Sequence, residues 1–163
     1  MAIRNIITEE DPFLHKKCRP VEKFDERLWT LLDDMKETMR KSNGVGLAAI
    51  QVGVLRRAVI IDVGDGAGVR ELINPVILEK SGEQETMEGC LSIPGKWGMT
   101  KRPKRVKVRA QDRNGKFFEY KGQDLLATAS CHEIDHLDGI LFLSHVFRML
   151  TQEELQQMSS AEG

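Results

Sequence analysis

An excess charge of one sign, a long apolar run and paired cysteines are all missing from these 163 residues, and each absence removes a class of function. Lysine plus arginine number 24 against 25 acidic residues, so global charge predicts no specific nucleic-acid binding. No segment approaches the apolar length needed to span a bilayer, and the opening MAIRNIITEEDPF has no apolar core of signal-peptide length. The three cysteines, Cys18, Cys90 and Cys131, are odd in number. These features predict a cytoplasmic protein without membrane contact, whose thiols are free or metal-bound. There is no internal repeat or interdomain linker. Residues 1–163 fit one domain, with a short C-terminal tail from about residue 150 to residue 163.

What is present reads as a mixture of helices and strands. DPFLHKKC can open a short helix, with Asp11 as cap and Pro12 at the first helical position. DERLWTLLDDMKETMRKSNG is the clearest helix: Leu28, Leu31, Leu32, Met35 and Met39 follow helical spacing as core residues, and Asn43-Gly44 supplies the stop. RRAVIIDV then reads as a buried strand and VRELINPVILEK as one or two more, bending at Asn74-Pro75. GDGAG lacks the lysine of a phosphate loop and reads as a turn. KRVKVRAQD and KFFEYKG flank RNG, whose Asn-Gly pair signals a hairpin. The stretch Lys96–Arg109 holds seven basic residues and no acid. Its alternation of Val106 and Val108 with Arg105, Lys107 and Arg109 is that of a strand with one wet face.

Histidine is scarce, four in all, yet two stand four residues apart in CHEIDHLDG. On a helix running from about Gln123 to Leu137, His132 and His136 share a face with Cβ atoms roughly 5–6 Å apart. Leu125 and Ala129 fall on the same stripe, so the histidines point toward the core, where two imidazoles need a partner that offsets their desolvation. A metal ion is such a partner, and Glu133 is then near enough to handle a proton of activated water. Catalytic ions commonly have three protein ligands. His15, His145 and Cys90 are candidates for the third; Cys90, in MEGCLSIPG between Gly89 and Gly95, sits on what reads as a special backbone path rather than in a strand interior. Cys131 points roughly 100° away from His132 and reads as packing. In NGVGLAAIQVG, the single polar Gln51 after an apolar run carries an amide able to donate to a developing oxyanion.

GVGLAAIQ, EGCLS and HEIDH, in this order and with these separations, resemble the three signature motifs of the peptide deformylase family. The resemblance also takes in DPFLHKKCRPVEKFD, the long first helix and VKVRAQDRNGK, nearly the whole chain. It implies an α+β fold, with antiparallel β-sheets wrapped around a central helix that carries the HExxH motif. It implies metal ligation by Cys90, His132 and His136, with Glu133 as general base and acid and Gln51 and the Leu91 N–H as oxyanion donors. Glu88 and Arg102 match a pair that supports the metal loop. The activity implied is removal of the formyl group from formylmethionyl N-termini of nascent polypeptides. The methionine would enter a pocket for which Val45, Gly46, Leu125 and Ala129 are candidates. The expected cofactor is one divalent ion, Fe2+ in the cell, with Zn2+ or Ni2+ as purified forms.

Two features depart from the commonest pattern of that family. Cys131 stands where glutamine is frequent, adding an oxidation target. The tail MLTQEELQQMSSAEG has three glutamates and no lysine or arginine, so a transient ribosome contact is expected through the basic stretch Lys96–Arg109 rather than through the tail. Two other readings are a zincin-like metallopeptidase, which would not need Cys90, and a non-catalytic structural metal site, which would not need Glu133.

Overall fold

A computed structural model describes residues 2–162 and places them in two antiparallel sheets and three α-helices. The first helix, α1 (Glu26–Lys41), begins where the Asp25 carboxylate accepts from the Leu28 N–H and ends before Asn43, at φ 56°. Its buried face is Leu28, Leu31, Leu32, Met35 and Met39, the stripe that the helical period predicts. A single 3-10 turn, Pro12–His15, stands where a short helix was expected, with Asp11 capping the Phe13 N–H.

Strands β1 (Gly46–Ala48), β2 (Ala58–Ile61), β3 (Arg70–Ser81), β6 (Arg105–Gln111) and β7 (Phe117–Gln123) form one sheet in the order β1-β2-β3-β6-β7. The Asn74-Pro75 bend is a bulge inside one continuous β3. Asn74, at φ 52°, binds the Val21 backbone and Gln111 through its side chain, so the ladder resumes at Val76. The β6–β7 hairpin closes through Asn114-Gly115, with Gly115 in the left-handed region at φ 85°. On β6 the valines are buried and Arg105 and Arg109 exposed, the wet face read from the alternation.

A second sheet, β4 (Gln84–Cys90), β5 (Ile93–Arg102) and β8 (Val146–Met149), occupies a stretch for which hydrophobic alternation gave no strand signal. Its β4–β5 hairpin turns tightly at Leu91-Ser92, and the register breaks between Gly89 and Cys90. The tail carries a helix, α3 (Gln152–Glu162).

Helix α2 (Leu125–Leu137) lies between the layers and packs on β1, β2, β5 and β7. The sequence suggested one inward stripe, but α2 is buried almost all round. Leu126, Ala129 and Leu137 pack with Ile50, Val59 and Leu72, while Ala127, Cys131 and Ile134 pack with Val106 and Val108. Its C-terminus is held by Arg57, whose Nη1 donates to the Leu137 carbonyl at 3.1 Å and to Asp138 Oδ1 at 3.0 Å.

The N-terminal segment is tied to α1 at the buried Asp34, which accepts from the Ala2 N–H at 2.7 Å and Arg4 Nε at 2.9 Å. Burial alone would raise this carboxyl, but the two donors and the arginine charge hold it below the usual range. A depressed folded pKa adds stability that is present above the unfolded value near ~4 and is lost as pH falls through the folded one. Asp34→Asn is therefore expected to melt roughly 2–8 °C lower at pH 7, from about 1–2 kcal/mol of charge-assisted hydrogen bonding. That gap should close below pH ~4. Melting curves across pH check this; a constant gap would refute it.

Candidate active site

Three of the chemistry-bearing side chains converge although they come from different layers. Cys90 ends β4, and His132 and His136 ride one face of α2. Their ligating atoms all lie within 4.8 Å of one another. The Cys90 Sγ to His136 Nε2 separation is 3.4 Å, close to the ~3.6 Å edge of a tetrahedron built with metal–sulfur bonds of about 2.3 Å and metal–nitrogen bonds of about 2.1 Å.

The surroundings also suit a cation. The Glu88 carboxylate accepts from His132 Nδ1 at 2.8 Å, which fixes the tautomer and leaves Nε2 facing the centre. Burial alone would raise the Glu88 carboxyl. Hydrogen bonds from His132 and Arg102, with the arginine charge, instead hold it down at about 2. His132 feels burial lowering its pKa, overridden by the Glu133 charge and by bonds to Cys90 and Glu88, which raise it well above the usual imidazole range. The carboxylates of Glu133 and Glu88 thus favour positive charge at the His132 ring. Burial, and then the His132 charge, hold His136 well below that range, in the neutral form that can ligate. Among the described residues, His136 Nδ1 and Glu133 Oε1 are buried without a hydrogen-bond partner. The donor set fits one divalent ion.

Glu133 lies beside His132, Oε2 to Nε2 3.9 Å, and burial pushes its carboxyl up to about 7. Gly46 makes room for it: a Cβ there would stand 2.5 Å from Glu133 Oε2. The expected Glu88–Arg102 pair is present and buried, with Arg102 Nε to Oε2 at 2.6 Å and Nη2 to Oε1 at 2.9 Å. Thr100 Oγ1 donates to the same carboxylate, and Arg102 Nη1 reaches Asp135 Oδ2 at 2.9 Å. Gln51, only 1% exposed, sits in a 3-10 turn after β1 with Nε2 3.5 Å from Cys90 Sγ, and Leu91 follows Cys90 in the hairpin turn.

A cleft of about 410 Å³ opens on this centre. Val45, Gly46, Leu125 and Ala129 all line it, beside His132 and Glu133. Leu125, expected on the inward stripe, is instead 49% exposed, because as the first residue of α2 it stands at the cleft mouth. Met87 and Trp97 also line the cleft, and Thr100, Ser92 and Asp135 hold Glu88, Gln51 and Arg102 in turn. Sequence reading missed all five. For Asp135 the signal was available, a carboxylate inside the HExxH turn beside an otherwise unpaired basic stretch.

Cys90 also forms part of β4 rather than standing off a strand, although the broken register at Gly89 gives it the unusual path expected. His145 is 39% exposed and faces Asp135 Oδ2 at 3.2 Å, and His15 is exposed, so neither joins the cluster. Cys131 packs in the core, and burial raises its thiol. Burial likewise raises Cys18, to about 11, so neither is a ready thiolate.

An α+β frame, with a helix-borne HExxH pair closed by a cysteine from a neighbouring hairpin, defines the class of metal-dependent hydrolases. Known proteins narrow this. The polypeptide deformylase family model matches residues 3–152. A peptide deformylase of Caldicellulosiruptor bescii is 56% identical over 98% of this chain and 95% of its own length. One of Acetivibrio thermocellus is 56% identical over 96% and 91%. The crystal structure of a peptide deformylase from Legionella pneumophila superposes with a TM-score of 0.85 at 44% identity, over 98% of this chain and 92% of that one.

The chain belongs to the polypeptide deformylase family. Enzymes of this family are metal-dependent hydrolases that remove the N-formyl group of nascent polypeptides, and that activity comes with membership. No helix among the described residues is long and apolar enough to cross a membrane.

Proposed function

We propose that this site hydrolyses the formyl amide of terminal formylmethionine, releasing formate and a free amine, with Cys90, His132 and His136 holding one divalent ion and Glu133 moving the proton. The observation that carries this reading is the buried carboxylate of Glu133, poised beside three convergent ligands at the floor of a cleft. When bound, the ion acidifies water and polarises the carbonyl. Everything else is done by the chain. Glu133 accepts the proton of the attacking water and returns it to the departing nitrogen, without which an amine leaves very poorly. Gln51 Nε2 and the Leu91 N–H donate to the oxygen as it gains charge. Glu88 orients His132 and is itself held by Arg102 and Thr100. The walls Val45, Gly46, Leu125 and Ala129 receive the methionine side chain, a match of apolar lining to an apolar residue.

A thiolate with two imidazoles suits Fe2+, Zn2+ or Ni2+, and we assign Fe2+ as the ion in the cytoplasm. A transient ribosome contact falls, on charge, to the wet face of β6, since α3 carries no lysine or arginine. The test is formate release from formyl-Met-Ala-Ser under anaerobic conditions, with metal analysis of the same sample. Activity should track bound metal, vanish on chelation and return when Fe2+ is restored. Fully metallated protein that releases no formate would sink the reading. Cleavage of unformylated peptides would point to a metallopeptidase instead.

A further inference from the structure

The amide of Gln51 is held so that one direction is left for its second N–H. The Ala48 N–H donates to Gln51 Oε1 at 2.9 Å, which settles which end of the amide is oxygen. Nε2 therefore faces the β4–β5 turn, where it donates to Ser92 Oγ at 2.9 Å. A primary amide carries two N–H bonds at a fixed angle, so engaging one directs the other. Here the other N–H is directed at Cys90 Sγ, a long contact of 3.5 Å at the edge of the Cys90, His132 and His136 cluster that a substrate oxygen can take over. Ser92 is fully buried, so water does not compete for this bond.

The same two residues are joined a second time, through their backbones. The Ile7 N–H donates to the Gln51 carbonyl at 2.8 Å, and the Glu9 N–H donates to the Ser92 carbonyl at 2.9 Å. The Lys96 ammonium pairs with Glu9 at 2.9 Å and fastens this strap to the strand that follows Ser92. Gln51 follows β1 of the five-stranded sheet, whereas Ser92 belongs to a hairpin of the other sheet. The strap spans the two.

We propose that Ser92 is a positioning residue for Gln51, aiming its second N–H at the oxyanion, with Ile7–Glu9 as the strap that keeps the two loops in register. This rests on Gln51 being an oxyanion donor. A hydroxyl that merely satisfied a buried amide would affect stability alone, whereas a positioning hydroxyl acts on turnover and only through Gln51.

The experiment compares wild type, Gln51→Ala, Ser92→Ala and the double variant as metal-loaded enzymes of matched metal content, measuring kcat and KM on formyl-Met-Ala-Ser. Gln51→Ala should lower kcat by about 100-fold, the loss typical of an oxyanion donor. Ser92→Ala should lower kcat by about 10-fold with KM within twofold, as expected of misaimed donation. The double variant should be no slower than Gln51→Ala, and Ser92→Thr, which keeps the hydroxyl, should recover most of the loss. A Ser92→Ala enzyme within twofold of wild-type kcat overturns the proposal, as do losses that multiply in the double variant. If Gln51→Ala keeps full kcat, the oxyanion reading itself has failed and the proposal falls with it. Should Ser92→Ala not fold, Ser92→Thr against Ser92→Val poses the same contrast at equal volume, and equal kcat in that pair overturns it.

Discussion

Glu133→Ala is expected to lower formate release by about 10³-fold while the ion stays bound, because the variant keeps Cys90, His132 and His136 and loses the proposed proton carrier. Its effect on folding should run the other way. Glu133 is buried, with one carboxylate oxygen lacking a partner among the described residues, and burial already disfavours its charged form. Removing such a group relieves a desolvation cost, and the small cavity beside Gly46 takes part of that back. The melting temperature should therefore hold or rise as activity collapses. Steady-state kinetics, metal analysis and a thermal melt on one preparation check all three. A variant retaining a tenth of the wild-type rate would remove Glu133 from the chemistry. One that lost its metal would make it a ligand instead.

Glu88→Ala should show the opposite pairing, a large loss of stability together with a weakened metal site. Four donor groups converge on that carboxylate: His132 Nδ1, Arg102 Nε and Nη2, and the Thr100 hydroxyl. Truncation leaves the buried Arg102 with Asp135 as its remaining charge partner. Breaking a buried pair from one side costs about 3–5 kcal/mol, and the Asp135 contact puts this case near the lower end. At 2–4 °C per kcal/mol for a chain of this size, melting should fall by roughly 6–15 °C. His132 would also lose the bond that sets its tautomer, so metal affinity should drop about 10–100-fold in chelator competition. Unchanged melting with unchanged affinity would mean that the carboxylate supports neither.

The parts of this molecule that were legible beforehand are those where one local rule suffices. Helical spacing gave α1 and its buried face, the Asn114-Gly115 pair gave the β6–β7 hairpin, and the i, i+4 histidines gave the two imidazoles that meet Cys90. The Glu88–Arg102 pair was read from family resemblance, and the structure forms it. The β4–β5 hairpin was not legible, because Gln84–Cys90 and Ile93–Arg102 have no clean alternation. Glu88, Thr100 and Arg102 turn inward to serve the histidine, and Trp97 covers Gly89 across the ladder. Polar residues at buried strand positions defeat a pattern built on apolar ones. Leu125 was misplaced for a related reason: a helical stripe says nothing about where the helix begins, and its first residue fell at the rim. Ser92 and the Ile7–Glu9 strap depend on contacts between segments far apart in the chain, which no window of sequence contains.

Cys90 belongs to the three-stranded sheet, whereas both histidines ride on a helix packed mainly against the five-stranded one. An ion shared among them, as proposed, would be a rivet across the seam between two separately paired sheets. Its binding energy holds only while both stay together, so ion loss and seam opening are one linked equilibrium. A molecule stripped of that ion would lose reactivity together with part of this cohesion, so the inactive copies in a population would also be the ones that open more readily.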